Sequence, residues 1–109
     1  MFDISKLVSP VYISGPITGV EDGNKENFDR IALYLESKGL CTVNPRRNPI
    51  PNGVTFNSPN FWKVMMQESL RIMMDCNSIV LLNGWVDSKG ACLEEDIAYI
   101  LDWPIAEEN

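Results

Sequence analysis

Short β-rich runs alternate with segments of helical apolar spacing from one end of the chain to the other, and this restricts it to few architectures. VYIS at 11–14 is followed by Phe28, Ile31 and Leu35 on one helical face, which Gly39 closes. CTVN at 41–44 reads as a second strand broken by Pro45, and RRNPIPNGVTFNSPN after it has the prolines and asparagines of a long loop. Between Phe61 and Met74, residues Trp62, Met65, Met66, Leu70 and Met73 share one helical face. Beyond Asp75, SIVLL is the continuous apolar run of a strand buried on both sides. Leu93, Ile97, Ile100 and Leu101 form a last helical stripe, and WPIA supplies a closing strand.

The order βαβαβαβ predicts an α/β fold: one doubly wound parallel sheet, Rossmann- or flavodoxin-like, of about four to five strands, with helices on both faces and right-handed crossovers. At 109 residues, without an internal repeat, the chain is expected to be a single domain. No apolar run approaches the length of a membrane span, and MFDISKLVSP lacks the apolar region of an export signal, so a cytoplasmic location is expected. Cys41, Cys76 and Cys92 show no CxxC spacing and read as small buried thiols. The chain contains no histidine, which excludes His-based triads, the common zinc-ligand patterns and imidazole general bases; no metal or cofactor is expected. A net charge of −6 argues against a nucleic-acid polymer as partner, because such binding comes mostly from neutralising phosphates. A small molecule is the expected ligand.

In doubly wound sheets ligands bind outside the carboxyl ends of the strands. Those ends carry GPITGVEDG, NPRRNPIPNG and NGWVDSKG. SGPITG lets backbone approach a phosphate or sugar, but it also suits a plain tight turn. In the last helix Glu95 points away from the apolar stripe, whereas Glu94 lies at its edge beside Ala91 and Ala98, in what reads as the first turn. Helical period alone leaves Glu94 either as a half-buried reactive carboxylate or as a complement to the helix dipole. Ser88 has an N-cap role open to it, Tyr12 a packing role, and Asp75 and Asp87 read equally well as solvated acids.

VYISGPITG, the NP after the second strand and DCNSIVLLNGWVDSKGACLEEDIA together resemble the nucleoside 2-deoxyribosyltransferase superfamily, from Val11 to Ile105. Within it the chain looks like a small uncharacterised branch, common in bacteriophage genomes and carrying GWxxSxGAxxE. The nucleophile there is a glutamate followed four residues later by alanine, which Glu94 and Ala98 match. The resemblance implies that Glu94 attacks C1′ of a 2′-deoxynucleoside or its 5′-monophosphate, with Tyr12 orienting it and Asp75 touching the sugar or assisting the leaving base. Ser88 matches the serine that binds phosphate in the nucleotide hydrolases. The implied substrate site further includes Ser14, Gly15, Pro16, Ile17, Gly19, Asn44, Gly84, Trp85, Asp87, Gly90 and Ala91. One departure stands out: the hydrolases carry an arginine in the first loop, whereas ITGVEDG has none, and Arg46 and Arg47 lie on another loop.

The expected function is that of an N-glycosidase or deoxyribosyl transferase; a non-catalytic protein that sequesters or senses a nucleotide is the alternative from another class. The second helix carries more apolar surface than one sheet face can cover, so a homodimer or larger homo-oligomer with that helix at the interface is expected.

Overall fold

The computed structural model describes residues 3–17, 19–47 and 59–108. Strands β1 (Val11–Ser14), β2 (Thr42–Val43), β3 (Ser78–Leu81) and β4 (Ile105–Glu107) alternate with helices α1 (Lys25–Ser37), α2 (Phe61–Met73) and α3 (Lys89–Ile100). All strand pairings are parallel, in the order β2-β1-β3-β4. The doubly wound sheet is therefore present, with four strands.

Side chains alternate across a strand, so β1 serves two cores at once. Val11 and Ile13 point to one face and pack with Val80, Leu82 and the α1 residues Phe28, Ile31, Ala32 and Leu35. Tyr12 points to the other, among Ile79, Leu81, Met73 of α2 and Ala98 of α3. Ser14, two residues after Tyr12, falls on this second face as well. Helix α1 thus covers one side of the sheet, and α2 and α3 the other. The chain leaves β1 towards β2 and leaves β3 towards β4, so the reversal of winding lies between β1 and β3, where a crevice is expected at their carboxyl ends.

Helix α3 corrects the sequence reading. Its buried residues are Ala91, Glu94 and Ala98, while Leu93, Ile100 and Leu101 are exposed. The face that meets the sheet is the small-residue one, because alanines let the helix lie close to β1 and β3. The helix also begins at Lys89, which places Glu94 in the second turn, out of reach of the first-turn dipole effect. The cysteines differ too. Only Cys76 is buried, its thiol pushed up to about 11 chiefly by burial and then by the neighbouring Asp75 charge. Cys41 is exposed and Cys92 half-buried. Much of the apolar surplus expected on α2 is the wall of a cavity: Phe61, Trp62, Met65 and Met66 line it, Trp62 remaining partly exposed, and Met74 is exposed just past the helix end. No helix among the described residues is long and apolar enough to cross a membrane.

Gly15 shows how tightly the end of β1 is packed. A Cβ added there would lie 2.7 Å from Leu82 Cβ, an atom fixed to the backbone of the neighbouring strand's exit. Gly15→Ala is expected to lower unfolding free energy by about 1–3 kcal/mol, measured by urea denaturation. An unchanged midpoint would show that this approach is not needed.

Candidate active site

A cavity of about 560 Å³ opens at the carboxyl ends of β1 and β3, between the sheet and α2. Its floor is Tyr12, Ser14 and Gly15 from β1 and its exit; one side is Ser88, Gly90, Ala91 and Glu94 from the start of α3. Another wall is the inward face of α2, which meets the start of α3 where Gly90 lies against Met66, and Asp22, Gly23, Pro45 and Arg46 complete the lining.

Glu94 is only 6% exposed, and its carboxylate is fixed from both oxygens. The Tyr12 hydroxyl donates to Oε2 at 2.7 Å and the Ser14 hydroxyl to Oε1 at 2.6 Å. The strand period places both hydroxyls on the face that α3 covers, and Ala91 and Ala98 let α3 come close enough for a short glutamate side chain to reach them. Burial pushes the Glu94 carboxyl up to about 7, while the Ser14 and Tyr12 hydrogen bonds pull the other way and keep the ionised form accessible near neutrality. Tyr12, fully buried, is held well above the ordinary tyrosine range by burial first and then by the Glu94 charge and hydrogen bond. It therefore stays a protonated donor. A carboxylate with one donor on each oxygen keeps a lone pair free for an electrophilic carbon in the cavity.

Ser88 caps α3, accepting from Ala91 N–H at 3.2 Å, so the bland role open to it is real. Its hydroxyl proton is still free to donate into the cavity. Arg46 is the residue that sequence reasoning set aside. Asn44 Oδ1 accepts from Arg46 N–H at 3.0 Å and Asn44 Nδ2 donates to Asp29 Oδ1 at 2.9 Å, which fixes the short 3-10 turn Pro45–Arg47 after β2. From that turn the guanidinium reaches over the first loop, with Nη2 3.4 Å from the Asp22 carbonyl. It lies flat against Gly23, whose φ is +60° and where a Cβ would sit 2.7 Å from Nη2. Arg46 Nε is buried and has no partner among the described residues.

Tyr12, Glu94, Ser14, Gly15, Ile17, Ser88, Gly90 and Ala91 are thus brought together, and several other expected residues are not. Asp75 is exposed and precedes β3, at the amino end of the sheet and so on the side away from the cavity; a parallel strand carries its two ends to opposite edges. Trp85 packs into the core beneath α3, its indole donating to Glu107 Oε1 at 3.0 Å, so it does not face the cavity. Pro16, Gly19, Asn44, Gly84 and Asp87 also lie outside the lining. Asn44 acts through the turn it builds, and Gly84 through a φ of +88° that starts the 3-10 turn Trp85–Asp87. Glu95 is half-buried outside the cavity rather than solvated. Missed from the sequence were Arg46, Asp22 and Ser69; for Ser69 the available signal was a lone hydroxyl on an apolar helical face. Most of NPRRNPIPNG lies outside the described residues. Among those described, no cluster of three or more acidic or cysteine side chains has the geometry to hold a metal ion.

Residues 9–107 match the family described as a domain of unknown function, DUF4406. None of the curated proteins compared matches the chain. Among solved structures the chain is similar to a 2-deoxyribosyltransferase from the psychrotolerant bacterium Bacillus psychrosaccharolyticus, with a TM-score of 0.65 and 21% identity over 87% of this chain and 68% of that one. The shared property is the fold.

Glu94 also makes stability depend on pH. Its folded pKa of about 7 is above the ordinary glutamate value of 4.5, so its contribution is fully present below pH 4.5 and is lost as pH rises through 7. The difference is on the order of 3 kcal/mol. Glu94→Gln, which has no charge to bury, is expected to melt higher than wild type at pH 8 and to converge with it near pH 5. Parallel melting curves at both pH values would contradict the buried carboxylate.

Proposed function

The chain belongs to the DUF4406 family, and from the geometry of its site we propose that it is an N-glycosidase or deoxyribosyl transferase acting on 2′-deoxynucleosides, with the 5′-monophosphates preferred. The observation that carries this reading is the buried Glu94 carboxylate held by two hydroxyls at the floor of a cavity large enough for a nucleotide. In it, a Glu94 oxygen attacks C1′ as the bond from C1′ to the base nitrogen breaks. The base leaves with that electron pair and takes a proton from water. Hydrolysis of the glycosyl ester then returns the carboxylate and releases the sugar; a second base in place of water gives transfer. The similar fold of a 2-deoxyribosyltransferase supports this reaction class. Asp75, which lies outside the cavity lining, is given no role in this reaction.

Two features favour the phosphorylated substrate. Arg46 lines the cavity, its buried Nε without a partner among the described residues, and supplies from the second loop the cation that the first loop lacks. The start of α3 lines the same cavity, with the Ser88 hydroxyl and first-turn N–H groups that suit an anion. The apolar inward face of α2 suits the base, with Trp62 as a stacking surface that Lys89 Nζ covers at 4.6 Å. A homodimer belongs to the same proposal, a second copy covering the exposed Met74 at the end of α2; sedimentation equilibrium at micromolar concentration should give a species larger than the 12.3 kDa monomer.

Incubation with a panel of deoxynucleosides and their 5′-monophosphates, followed by chromatography, should show base release. Glu94→Ala is expected to abolish it, with a loss of at least about a thousandfold, while Glu95→Ala leaves it nearly unchanged. Binding without release in wild type would favour the sequestering role. Arg46→Gln should raise KM for the monophosphate about tenfold or more and leave the nucleoside unaffected. An equal effect on both would remove Arg46 from phosphate recognition.

A further inference from the structure

Helix α2 rests on the core at its carboxyl end. Met73, in the last turn, is fully buried, and Leu70 and Ile72 pack beside it on the same cluster. The first two turns have the cavity beneath them instead, with Phe61, Trp62, Met65 and Met66 in its lining. A helix end that spans a void takes its position from contacts at its flanks, because no close-packed interior fixes it from below. Two such contacts come from consecutive residues at the start of α3. Lys89 Nζ lies over the Trp62 ring, 4.6 Å from its centroid, and the Gly90 backbone lies so close to Met66 that a Cβ there would stand 3.1 Å from Sδ. Trp62 and Met66 are one turn apart on α2, so the two contacts form a continuous clasp along its first turns.

Helix stability does not account for a lysine at that position. Lys89 is the first residue of α3, where the helix dipole favours acids and disfavours a cation, and no acid stands in that first turn. The ion pairs of the described residues also leave Lys89 without a carboxylate partner. Its ammonium is placed on the indole. Lys89 does not itself line the cavity, so it meets the ring from outside and leaves the inner side of Trp62 to a ligand. We propose that Lys89 is a positioning residue for the base platform: its ammonium, stacked on Trp62, fixes the first turns of α2 against α3 and so sets where the aromatic wall stands relative to Glu94. This role deepens, and rests on, the reading of the cavity as a nucleotide site with the base against α2. It belongs to binding and not to bond cleavage. The ring holds a cation through its quadrupole, so the contact is lost with the charge and is kept by a guanidinium. Direct phosphate binding by Lys89 would behave differently, because its effect would vanish with a ligand that lacks the phosphate.

Full-length Glu94→Gln, which cannot form the glycosyl ester, allows calorimetry without turnover, with 2′-deoxyadenosine and its 5′-monophosphate as probes. In that background Lys89→Met, which keeps the apolar stem and removes the charge, is expected to weaken binding of both probes alike, by about three- to fivefold, the size of a partly exposed cation–π contact. Lys89→Arg should return both to within about twofold. Trp62→Ala should weaken both further, and adding Lys89→Met to it should have no additional effect. The protein without ligand gives a second readout. The Trp62 indole N–H signal in NMR, assigned by its loss in Trp62→Phe, should shift in Lys89→Met and return towards wild type in Lys89→Arg. The urea midpoint should not fall, since the substitution also removes a cation from a helix start. Where turnover is measurable, the loss should appear in KM with kcat unchanged. An unmoved indole signal, losses that add in the double variant, or a loss confined to the phosphorylated probe would overturn the proposal. Binding of neither probe, with the indole signal shifted, would contradict the nucleotide reading while upholding the clasp. The expected binding pattern without base release by wild type would sink the glycosidase reading alone.

Discussion

A carboxylate buried to 6% exposure is bound by two hydroxyls from a strand 80 and 82 residues earlier in the chain. This contact ties α3 to β1 and decides which face of α3 meets the sheet. An apolar side chain at 94 would bury more cheaply, since ionised Glu94 destabilises the folded state near neutrality. The surroundings are arranged to accept it: alanines at 91 and 98 for close approach, and Tyr12 and Ser14 at alternate positions of one strand. Stability given up at a site over-determined in this way is the pattern of a functional residue.

The rest of the cavity lining is of two chemical kinds. Arg46, Ser88 and the start of α3 offer donors and positive charge, while α2 offers Trp62, Met65 and Met66. A ligand with an anionic end, a flat apolar end and an electrophilic carbon between them fits this polarity, and a deoxynucleotide has those parts in that order. Gly23 and Gly15 are the backbone counterparts. The first lets the guanidinium lie against the loop and the second lets the end of β1 approach Leu82, so neither tolerates a Cβ without displacement.

The fold was legible because it depends on periodicity. VYIS and SIVLL coincide with β1 and β3, and Phe28, Ile31 and Leu35 do pack on the sheet from α1. Glu94 was legible for a different reason: the stripe analysis that singled it out placed the apolar face wrongly, and the family resemblance and the alanine spacing carried the choice. The error is instructive, because hydrophobicity alone cannot tell that a helix turns alanines and a glutamate inward and leaves Ile100 exposed at 78%. Asp75 precedes the amino end of β3 and lies outside the cavity lining, a placement that motif order alone does not reveal. Arg46 was hidden because its place depends on reach. A guanidinium crossing from one loop to another leaves no signature in spacing.

The central claim is that Glu94 becomes covalently bound to the sugar, and trapping tests it most directly. A 2-fluoro-substituted deoxynucleotide slows departure of the sugar from the carboxylate more than it slows attack, so the ester should accumulate. Mass spectrometry of the digested protein should then find the fluorosugar phosphate on Glu94, in the peptide that also contains Glu95, with fragmentation separating the two and with no adduct in Glu94→Gln. Base release without an adduct, or an adduct on any other residue, would contradict the account.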